Sequence, residues 1–587
     1  MKLLKTLPLL VALVAVDPPV YAAESIALAD ALPGRQGVCI TEMDGGERVE
    51  IPVTVLGTIG SGGPDAEIIL VRLDDPRFEE TGIIAGMSGS PVYLDGKLLG
   101  ALAYGWGFSK EPIGGVTPFE RMLRIESAPT PPVAAASRPA MAEMLAAAGD
   151  GSLGPTLAEW LVPERTDSLQ PLPMSLATGG WWAPTNGSWM AETWRRLGWT
   201  ANAGGAGRSD DSGRGVLPGE MVAAVFVDGD AILSAAGTVT EVRDDRVWAF
   251  GHSSLGIGTA NMPMARAGVV AVLPSLQSSF KFFAVGNEIG ALVADRKDGI
   301  VGRLGQKAPM VPASVTVDGH RYDFRIVRHP VLLPLFAAYL TQASQGVLGR
   351  SFGDQTINIR TEIRYPDLDP VVVRGSYSGG VALSDASSFS AMVLAYLENS
   401  EFAAPEIEGL DIEIDSVEEI RSATIVEIVP DRRVVRPGES LDVRFRIRPF
   451  KGREYITKVT LEVPHGLPDG KIDLVGADGA AWTAYDLLMR PLRPSAFADE
   501  IRMINSFEPS TVLVAALERP DVGMALAGGS LSAPASIVMQ VQSVLGPNLE
   551  TVAHAVFAKT ETEMETPVFG AQRITLTIRS STEPTER

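Results

Sequence analysis

The chain lacks several features that often define a fold or a cofactor site. It has one cysteine, Cys39, among 587 residues, so it cannot form an internal disulfide and must be stabilised by packed cores. It has five histidines and contains no H-E-x-x-H motif, paired-cysteine spacing, Walker A box or dinucleotide fingerprint. These absences predict a protein without a bound cofactor or metal.

Long apolar runs and positive charge are also scarce. After the N-terminal region, no run reaches the roughly 18 apolar residues that a transmembrane helix needs, which predicts no integral membrane span in the mature chain. The formal net charge is −21. Such an excess of negative charge disfavours nucleic acid as a partner.

The first 22 residues have the pattern of a secretory signal peptide. Lys2 and Lys5 precede an apolar run over 7–16, and Val20-Tyr21-Ala22 offers a small-residue cleavage site. The run is short for a membrane anchor, and no cysteine follows it as a lipoprotein would require. We therefore expect a protein exported to the periplasm or the extracellular space.

The most informative stretch is Gly86-Met87-Ser88-Gly89-Ser90-Pro91, a G-x-S-G-x-P box between two strand-like runs. Glycines in such a turn let backbone N–H groups converge on an oxyanion, so the box is typical of a nucleophilic serine, here Ser88. A hairpin with its turn at Asp95-Gly96 is predicted to follow. The other interpretation of the box is an ordinary Gly/Ser turn of an all-β protein.

A serine nucleophile needs a base, and histidine is the usual one because its pKa lies near neutral pH. His252 is the best placed, at the end of an apolar strand and directly after Gly251. The other four histidines lie in a predicted hairpin turn, at a loop-to-helix junction and in the C-terminal third: His320, His329, His465 and His554.

At these residues the chain resembles the SpoIVB-type serine peptidases of the chymotrypsin-like clan. The resemblance rests on three blocks: 81–101 with the serine box, Gly237-Thr238-Val239 with Ala249-Phe250-Gly251-His252, and 299–304. They lie within about 85–125 and 218–325, under half of the chain. The resemblance implies a double β-barrel in which Ser88 is the nucleophile, His252 is the base, and the N–H groups of Gly86 and Ser88 form the oxyanion hole.

The order of the blocks departs from the family, in which the histidine block comes first. Here Ser88 precedes His252 by 164 residues (252 − 88). This order indicates a circular permutation, which is compatible with catalysis because a triad depends on geometry and roles rather than on chain order. The family pattern also implies an aspartate shortly before the serine box. That residue is Asp75, with Asp74 as the alternative, although Asp-Asp-Pro is also an ordinary turn sequence.

The length of the chain requires several domains. We predict a signal peptide over 1–22, a first part of the peptidase domain with the serine block over 23–125, a linker and tryptophan-rich insertion over 126–217, a second part with the histidine block and helices over 218–400, and a C-terminal β-rich domain over 405–587. The insertion holds six of the nine tryptophans. They form either an aromatic platform for a ligand or a small core packed on the peptidase.

The expected fold class is mainly β: a chymotrypsin-like double β-barrel peptidase domain split by an insertion, followed by a β-sandwich-like domain with a helical insertion around 480–505. The expected function is an exported serine endopeptidase that cleaves a protein or peptide substrate through a Ser-His-Asp acyl-enzyme mechanism. The alternative is a catalytically inactive, peptidase-like binding or scaffolding protein of the cell envelope. The sequence does not indicate cleavage specificity or oligomeric state.

Overall fold

A computed structural model describes most of the chain. The described residues are 24–60, 67–107, 109–127, 140–150, 152–162, 171–172, 174–179, 189–202, 215–275, 278–347, 353–402, 405–490, 494–520, 523–526, 529–532, 540, 550–552 and 554–580. The predicted signal peptide, most of the predicted Pro/Ala linker, and Trp181 and Trp182 of the insertion lie outside them.

Six antiparallel strands in the first part of the chain close into a barrel. They are β1 (Gln36–Glu42), β2 (Arg48–Gly60), β3 (Glu67–Leu73), β4 (Pro91–Leu94), β5 (Lys97–Gly105) and β6 (Ile113–Pro118), with the helices α1 (Arg77–Thr81) and α2 (Phe119–Met122) beside them. The order around the barrel is β1-β2-β3-β6-β5-β4. The β4–β5 turn has positive φ at both Asp95 (49°) and Gly96 (76°), as the predicted type I′ hairpin requires.

The insertion adds three helices and two short strands. They are α3 (Met141–Asp150), α4 (Leu153–Leu161), β7 (Met174–Ala177), α5 (Trp189–Leu197) and β8 (Trp199–Asn202). Trp199 stacks on Phe226 with ring centroids 5.2 Å apart, and Trp194 lies 5.3 Å from Tyr339. Both indole rings belong to the main core of the protein. These tryptophans are therefore core residues, as one of the two sequence interpretations held.

A second barrel follows the insertion. Its strands are β9 (Met221–Gly229), β10 (Leu233–Arg243), β11 (Arg246–Ala249), β12 (Gly258–Leu273), β13 (Phe280–Arg296) and β14 (Gly299–Leu304). They pair as β9-β10-β11-β14-β13-β12, and β12 returns to β9. Counted from the first strand of each barrel, this order equals that of the first barrel. The predicted double β-barrel split by an insertion is confirmed.

Buried polar contacts join the two barrels. The Glu42 carboxylate, on β1, accepts hydrogen bonds from the backbone N–H groups of Met221 on β9 (3.1 Å) and Val269 on β12 (2.7 Å). Arg121, beside the first barrel, forms an ion pair with Asp298 in the β13–β14 turn, and both side chains are largely buried. Because each contact satisfies a charge taken out of water, separating the barrels would expose costly unpaired groups.

The sheet of the second barrel continues into an α/β region. Its elements are β15 (Met310–Val317), β16 (His320–Val327), α6 (Leu332–Val347), β17 (Gln355–Arg364), β18 (Val371–Gly379), α7 (Ala382–Glu398) and β19 (Gly409–Val417), and they complete a 13-stranded sheet. Both helices lie within 218–400, the part of the chain for which helices were predicted. The predicted domain boundary near 405 is too early, because β19 pairs with β15 and β17 in this sheet.

The described residues of the C-terminal part form three sheets, and the two larger sheets share one core. Its elements are β20 (Ala423–Pro430), β21 (Val434–Val435), β22 (Ser440–Pro449), β23 (Tyr455–Glu462), β24 (Gly470–Asp478), α8 (Gly479–Met489), α9 (Phe497–Asn505), β25 (Val512–Arg519), β26 (Gly523–Leu526), β27 (Gly529–Ser532), β28 (Glu550–Val552), β29 (Ala555–Glu563), β30 (Val568–Phe569) and β31 (Ala571–Ile578). The predicted sandwich and its helical insertion are confirmed. Across the described residues, no helix combines the length and the apolar character needed to cross a membrane.

Candidate active site

The serine box forms a tight loop, Gly86–Ser90, between α1 and β4. Gly86 and Gly89 both have φ = +98°, in the region that favours glycine. A Cβ on Gly89 would lie 1.8 Å from the carbonyl oxygen of Thr238, in β10 of the second barrel. Glycine is therefore required at position 89 because the loop presses directly against the backbone of the other barrel.

Two threonines of β10 hold this loop in place. The Thr238 N–H donates to the Ser88 carbonyl oxygen (2.7 Å), and the Thr238 hydroxyl donates to the Gly86 carbonyl oxygen (2.9 Å). The hydroxyl of Thr240 donates to the Gly89 carbonyl oxygen (2.7 Å). Both threonines are fully buried. The second barrel thus fixes the backbone that carries the serine of the first.

The histidine loop follows β11 and is held reciprocally by the first barrel. Phe250 and Gly251 both have φ = +69°, and for a bulky residue such as Phe250 this conformation costs about 1–3 kcal/mol. The buried hydroxyl of Thr117, on β6, donates to the Gly251 carbonyl oxygen (2.6 Å). A Cβ on Gly251 would lie 2.8 Å from the Cβ of Ala101. The backbone therefore turns sharply where it delivers His252 into the contact between the barrels.

The structure brings Ser88 and His252 together. The Ser88 Oγ lies 2.8 Å from His252 Nε2, and His252 Nδ1 lies 2.8 Å from the carbonyl oxygen of Ser253. A carbonyl oxygen can only accept, so Nδ1 carries the proton and Nε2 is free to accept the Ser88 hydroxyl hydrogen. Both side chains are buried, with Ser88 4% and His252 1% exposed. The pair has the geometry of a nucleophile and its general base.

Neither expected aspartate contacts the histidine. Both oxygens of Asp75 accept hydrogen bonds from Arg77, at 3.0 Å and 2.7 Å, and the hydrogen bonds from that guanidinium lower the pKa of Asp75. Asp74 is bonded to Thr54 and Arg72. The expected contact between Asp75 and His252 is not formed. The physical reason is local, because a cation two residues away in the same turn occupies the carboxylate.

A different carboxylate, Asp295, organises the histidine loop. Asp295 is fully buried at the end of β13. Its carboxylate accepts the backbone N–H groups of Ser254 (2.8 Å), Leu255 (2.7 Å) and Gly256 (3.0 Å), which directly follow His252 and Ser253. Sequence reasoning missed Asp295, since it lies outside any motif and 43 residues (295 − 252) beyond the histidine.

Two backbone donors in the serine loop are left for a ligand. Neither the Gly86 N–H nor the Ser88 N–H donates a hydrogen bond to another of the described residues, whereas Met87, Gly89 and Ser90 all do. These are the two groups that the sequence assigned to an oxyanion hole. Donors of this kind, fixed before reaction, stabilise developing negative charge without reorganisation.

A buried lysine, which no sequence motif indicated, lies beneath the same loop. A Cβ on Gly86 would lie 3.1 Å from Cδ of Lys281, on β13, so the lysine stem packs against the loop. Lys281 Nζ donates to the Thr41 hydroxyl (2.8 Å), which also accepts the Ser90 hydroxyl (2.9 Å). Burial lowers the pKa of Lys281 to about 8. The Lys281 stem thus lies beneath the loop that carries the proposed oxyanion donors, and its ammonium binds Thr41.

The remaining histidines have structural positions. His329 Nδ1 accepts the backbone N–H groups of Val331 (3.2 Å) and Leu332 (3.4 Å) at the start of α6, and burial lowers its pKa to about 4. His320 begins β16 directly after a hairpin turn. Within the described ranges, no three His, Cys, Asp or Glu side chains gather as a metal site.

Comparison of the chain with protein-family models, with curated proteins and with solved structures finds no match. The function is therefore inferred from the geometry of the site.

Proposed function

We propose that the protein is a serine endopeptidase of the SpoIVB type, exported from the cytoplasm, with Ser88 as nucleophile and His252 as general base. The observation that carries the proposal is the 2.8 Å hydrogen bond between Ser88 Oγ and a His252 Nε2 whose tautomer is set by the Ser253 carbonyl. The unused N–H groups of Gly86 and Ser88, next to the nucleophile, support it.

The geometry supports a two-step acyl transfer. Ser88 Oγ bonds to the scissile carbonyl carbon as its proton passes to His252 Nε2, and the carbonyl oxygen becomes an oxyanion held by the Gly86 and Ser88 N–H groups. The intermediate collapses with cleavage of the C–N bond, and His252 returns the proton to the leaving amine. Water, activated by His252, then hydrolyses the ester and regenerates Ser88.

Asp295 replaces Asp75 in this mechanism as the carboxylate that supports the base. It acts through the backbone of 254–256 and fixes the position of the histidine loop, and it is a positioning residue. The Ser253 carbonyl oxygen accepts a hydrogen bond from the Nδ1–H of His252. The imidazolium that forms during reaction is then stabilised by a neutral acceptor and by the nearby loop rather than by Asp75.

Covalent labelling with a fluorophosphonate tests the proposal, because the probe reacts with an activated serine and needs no known substrate. We expect labelling of the purified mature protein, none in Ser88→Ala, and a rate lower by at least about 10³-fold in His252→Ala. Ser90→Ala is the matched control, since among the described residues the Ser90 hydroxyl bonds only to the Thr41 hydroxyl. Retained labelling in Ser88→Ala would refute the assignment of the nucleophile.

The inactive binding protein remains the second candidate, because Asp75 is paired elsewhere and Ser88 is almost fully covered. It predicts no Ser88-dependent labelling under any condition. Comparing newly formed protein termini in cells that carry the wild type or Ser88→Ala would identify a substrate, and identical sets of termini would favour the binding protein.

A further inference from the structure

A short segment of the insertion lies directly beside the serine loop. The edge of β5 first pairs with β4, through Pro91↔Ala101 and Val92↔Gly100. It then exchanges hydrogen bonds with the serine loop, from the Gly89 N–H to the Leu102 carbonyl oxygen (2.7 Å) and from the Leu102 N–H to the Ser90 carbonyl oxygen (2.9 Å). The next position along this edge is therefore next to the nucleophile.

Pro171 and Leu172 occupy that position. Pro171 forms an antiparallel bridge with Tyr104, and the Leu172 N–H donates to the Ala103 carbonyl oxygen (3.1 Å). The Leu172 side chain is 4% exposed. It fills the space above Gly105, where a Cβ would lie 2.7 Å from Leu172 Cδ2 and 3.2 Å from Ile83 Cβ. The absence of a side chain at Gly105 creates the room for this leucine.

The chain then continues to the other strand that holds the serine loop. β7 pairs with Ser234–Ala236 of β10, two residues before Thr238, which binds the backbone of Ser88 and Gly86. β8 covers the other edge of β7. β7 is thus paired on both edges, whereas among the described strands Pro171 and Leu172 adjoin only β5, through the bridge to Tyr104, the hydrogen bond from the Leu172 N–H and the Leu172 side chain. Residues 171 and 172 are the part that can be displaced.

We propose that Pro171–Leu172 is a tethered competitor of the peptide substrate. It occupies in cis the edge of β5 over Ala103–Gly105, where the backbone of an extended substrate would lie, and its leucine fills an apolar subsite beside Gly105 and Ile83. An added strand gains main-chain hydrogen bonds from the edge and specificity from the side-chain pocket. The proposal rests on the proposed peptidase function.

The segment is held to a single strand edge by few hydrogen bonds. Leu172 directs its N–H to β5, so the backbone nitrogen of Pro171 faces away from this edge and proline there costs no hydrogen bond to β5. An extended peptide that pairs with the edge over more positions can displace such a segment. Substrate and tether would then compete for the same edge, and the enzyme would be held partly latent.

Displacing the tether tests the proposal. Leu172→Asp places a charge in the apolar subsite, and Leu32→Asp, at an exposed leucine of the first barrel, is the matched control. We expect the fluorophosphonate labelling rate of Ser88 to rise at least tenfold in Leu172→Asp and to stay at the wild-type rate in Leu32→Asp. Leu172→Ala, which keeps the site apolar, should give a smaller rise and serves if the aspartate variant does not fold. Unchanged labelling in both Leu172 variants would overturn the tether.

A binding measurement separates this proposal from the peptidase function. The probe is a fluorescent synthetic peptide with the sequence of residues 170–178. It should bind Ser88→Ala/Leu172→Asp at least tenfold more tightly than Ser88→Ala alone, in which the site is already filled, and a peptide with aspartate at the position of Leu172 should not bind. Gained binding without labelling of any variant with Ser88 intact would retain the site and reject the peptidase. Equal binding to both proteins would overturn the site.

Discussion

Replacing Lys281 by methionine should make the protein more stable and less active. Lys281 is fully buried, and burial lowers its pKa from 10.5 to about 8. A displacement of this size corresponds to about 3 kcal/mol of cost for keeping the ammonium charged in the folded state. Methionine retains much of the stem that packs on Gly86 and loses one hydrogen bond, to Thr41, of about 1 kcal/mol. The net expectation is a gain of about 1–2 kcal/mol at pH 7.

The sign of the pH dependence follows from the same displacement. Between pH 8 and 10.5 the unfolded chain binds more protons at Lys281 than the folded protein does, so this group makes stability rise with pH in that window. The groups that face the ammonium are Glu42, whose charge opposes the loss of the proton, and Cys39, whose pKa burial raises to about 12. Lys281→Met should remove the rise.

Activity should change in the opposite direction. At an effective dielectric constant of about 20, a buried charge about 6–12 Å from a developing oxyanion contributes about 1–3 kcal/mol, so labelling of Ser88 should slow about 10- to 100-fold. The wild-type rate should also fall above about pH 8 as Lys281 loses its proton, and the variant should lack this fall. The assay is labelling rate against pH together with thermal unfolding. Lys297→Met, an exposed lysine in the β13–β14 turn, is the control. A variant with wild-type rates throughout would refute the reasoning.

Three further predictions concern the supports of the site. Asp295→Asn removes one of the two oxygens that accept three backbone N–H groups, and it should lower the free energy of unfolding by about 2–3 kcal/mol and the labelling rate about 100-fold. Asp75→Asn should leave the labelling rate within about threefold of the wild type. If Asp75→Asn had the larger effect, Asp75 would belong to the triad. Thr238→Val removes the hydroxyl bond to the Gly86 carbonyl and should slow labelling about tenfold at unchanged fold, as judged by circular dichroism; an unchanged rate would show that the backbone bond suffices. Trp199→Ala should lower the free energy of unfolding by about 3–5 kcal/mol in denaturant titration, and a loss below about 1 kcal/mol would favour the platform interpretation of the insertion.

The parts of the site that were predictable from the sequence are those set by local backbone chemistry. A serine between two glycines, followed by Pro91 and a hairpin, can form only a tight turn with its N–H groups exposed on one side. In the same way, Gly251 at the end of a strand lets the backbone turn sharply and direct the His252 side chain out of the strand. Each loop conformation depends only on a few neighbouring residues. The sequence could therefore indicate Ser88 and His252 although 164 residues separate them.

The parts that could not be predicted depend on contacts made only after folding. Asp295 faces 254–256 because β12 and β13 pair and bring the end of one strand beside the start of the other. In the sequence, Lys281 is an ordinary strand residue with no sign of burial. It becomes buried because β13 packs beneath the serine loop. The expectation for Asp75 was wrong for a different reason. The family pattern indicated that Asp75 would contact His252, but its carboxylate instead pairs with Arg77, two residues away.

The pairing of the barrels explains why the chain order of serine and histidine can be exchanged. Each barrel supplies one loop after its third strand, and each loop is fixed by a threonine of the other barrel: Thr238 holds the Ser88 loop, and Thr117 holds the loop of His252. No covalent link between the barrels enters these contacts, so the geometry requires their docking and is indifferent to which barrel is synthesised first. The connection between them is then free to carry other elements. In this chain it carries the insertion, whose Trp189, Trp194 and Trp199 are part of the core and whose Pro171–Leu172 reaches the edge of β5.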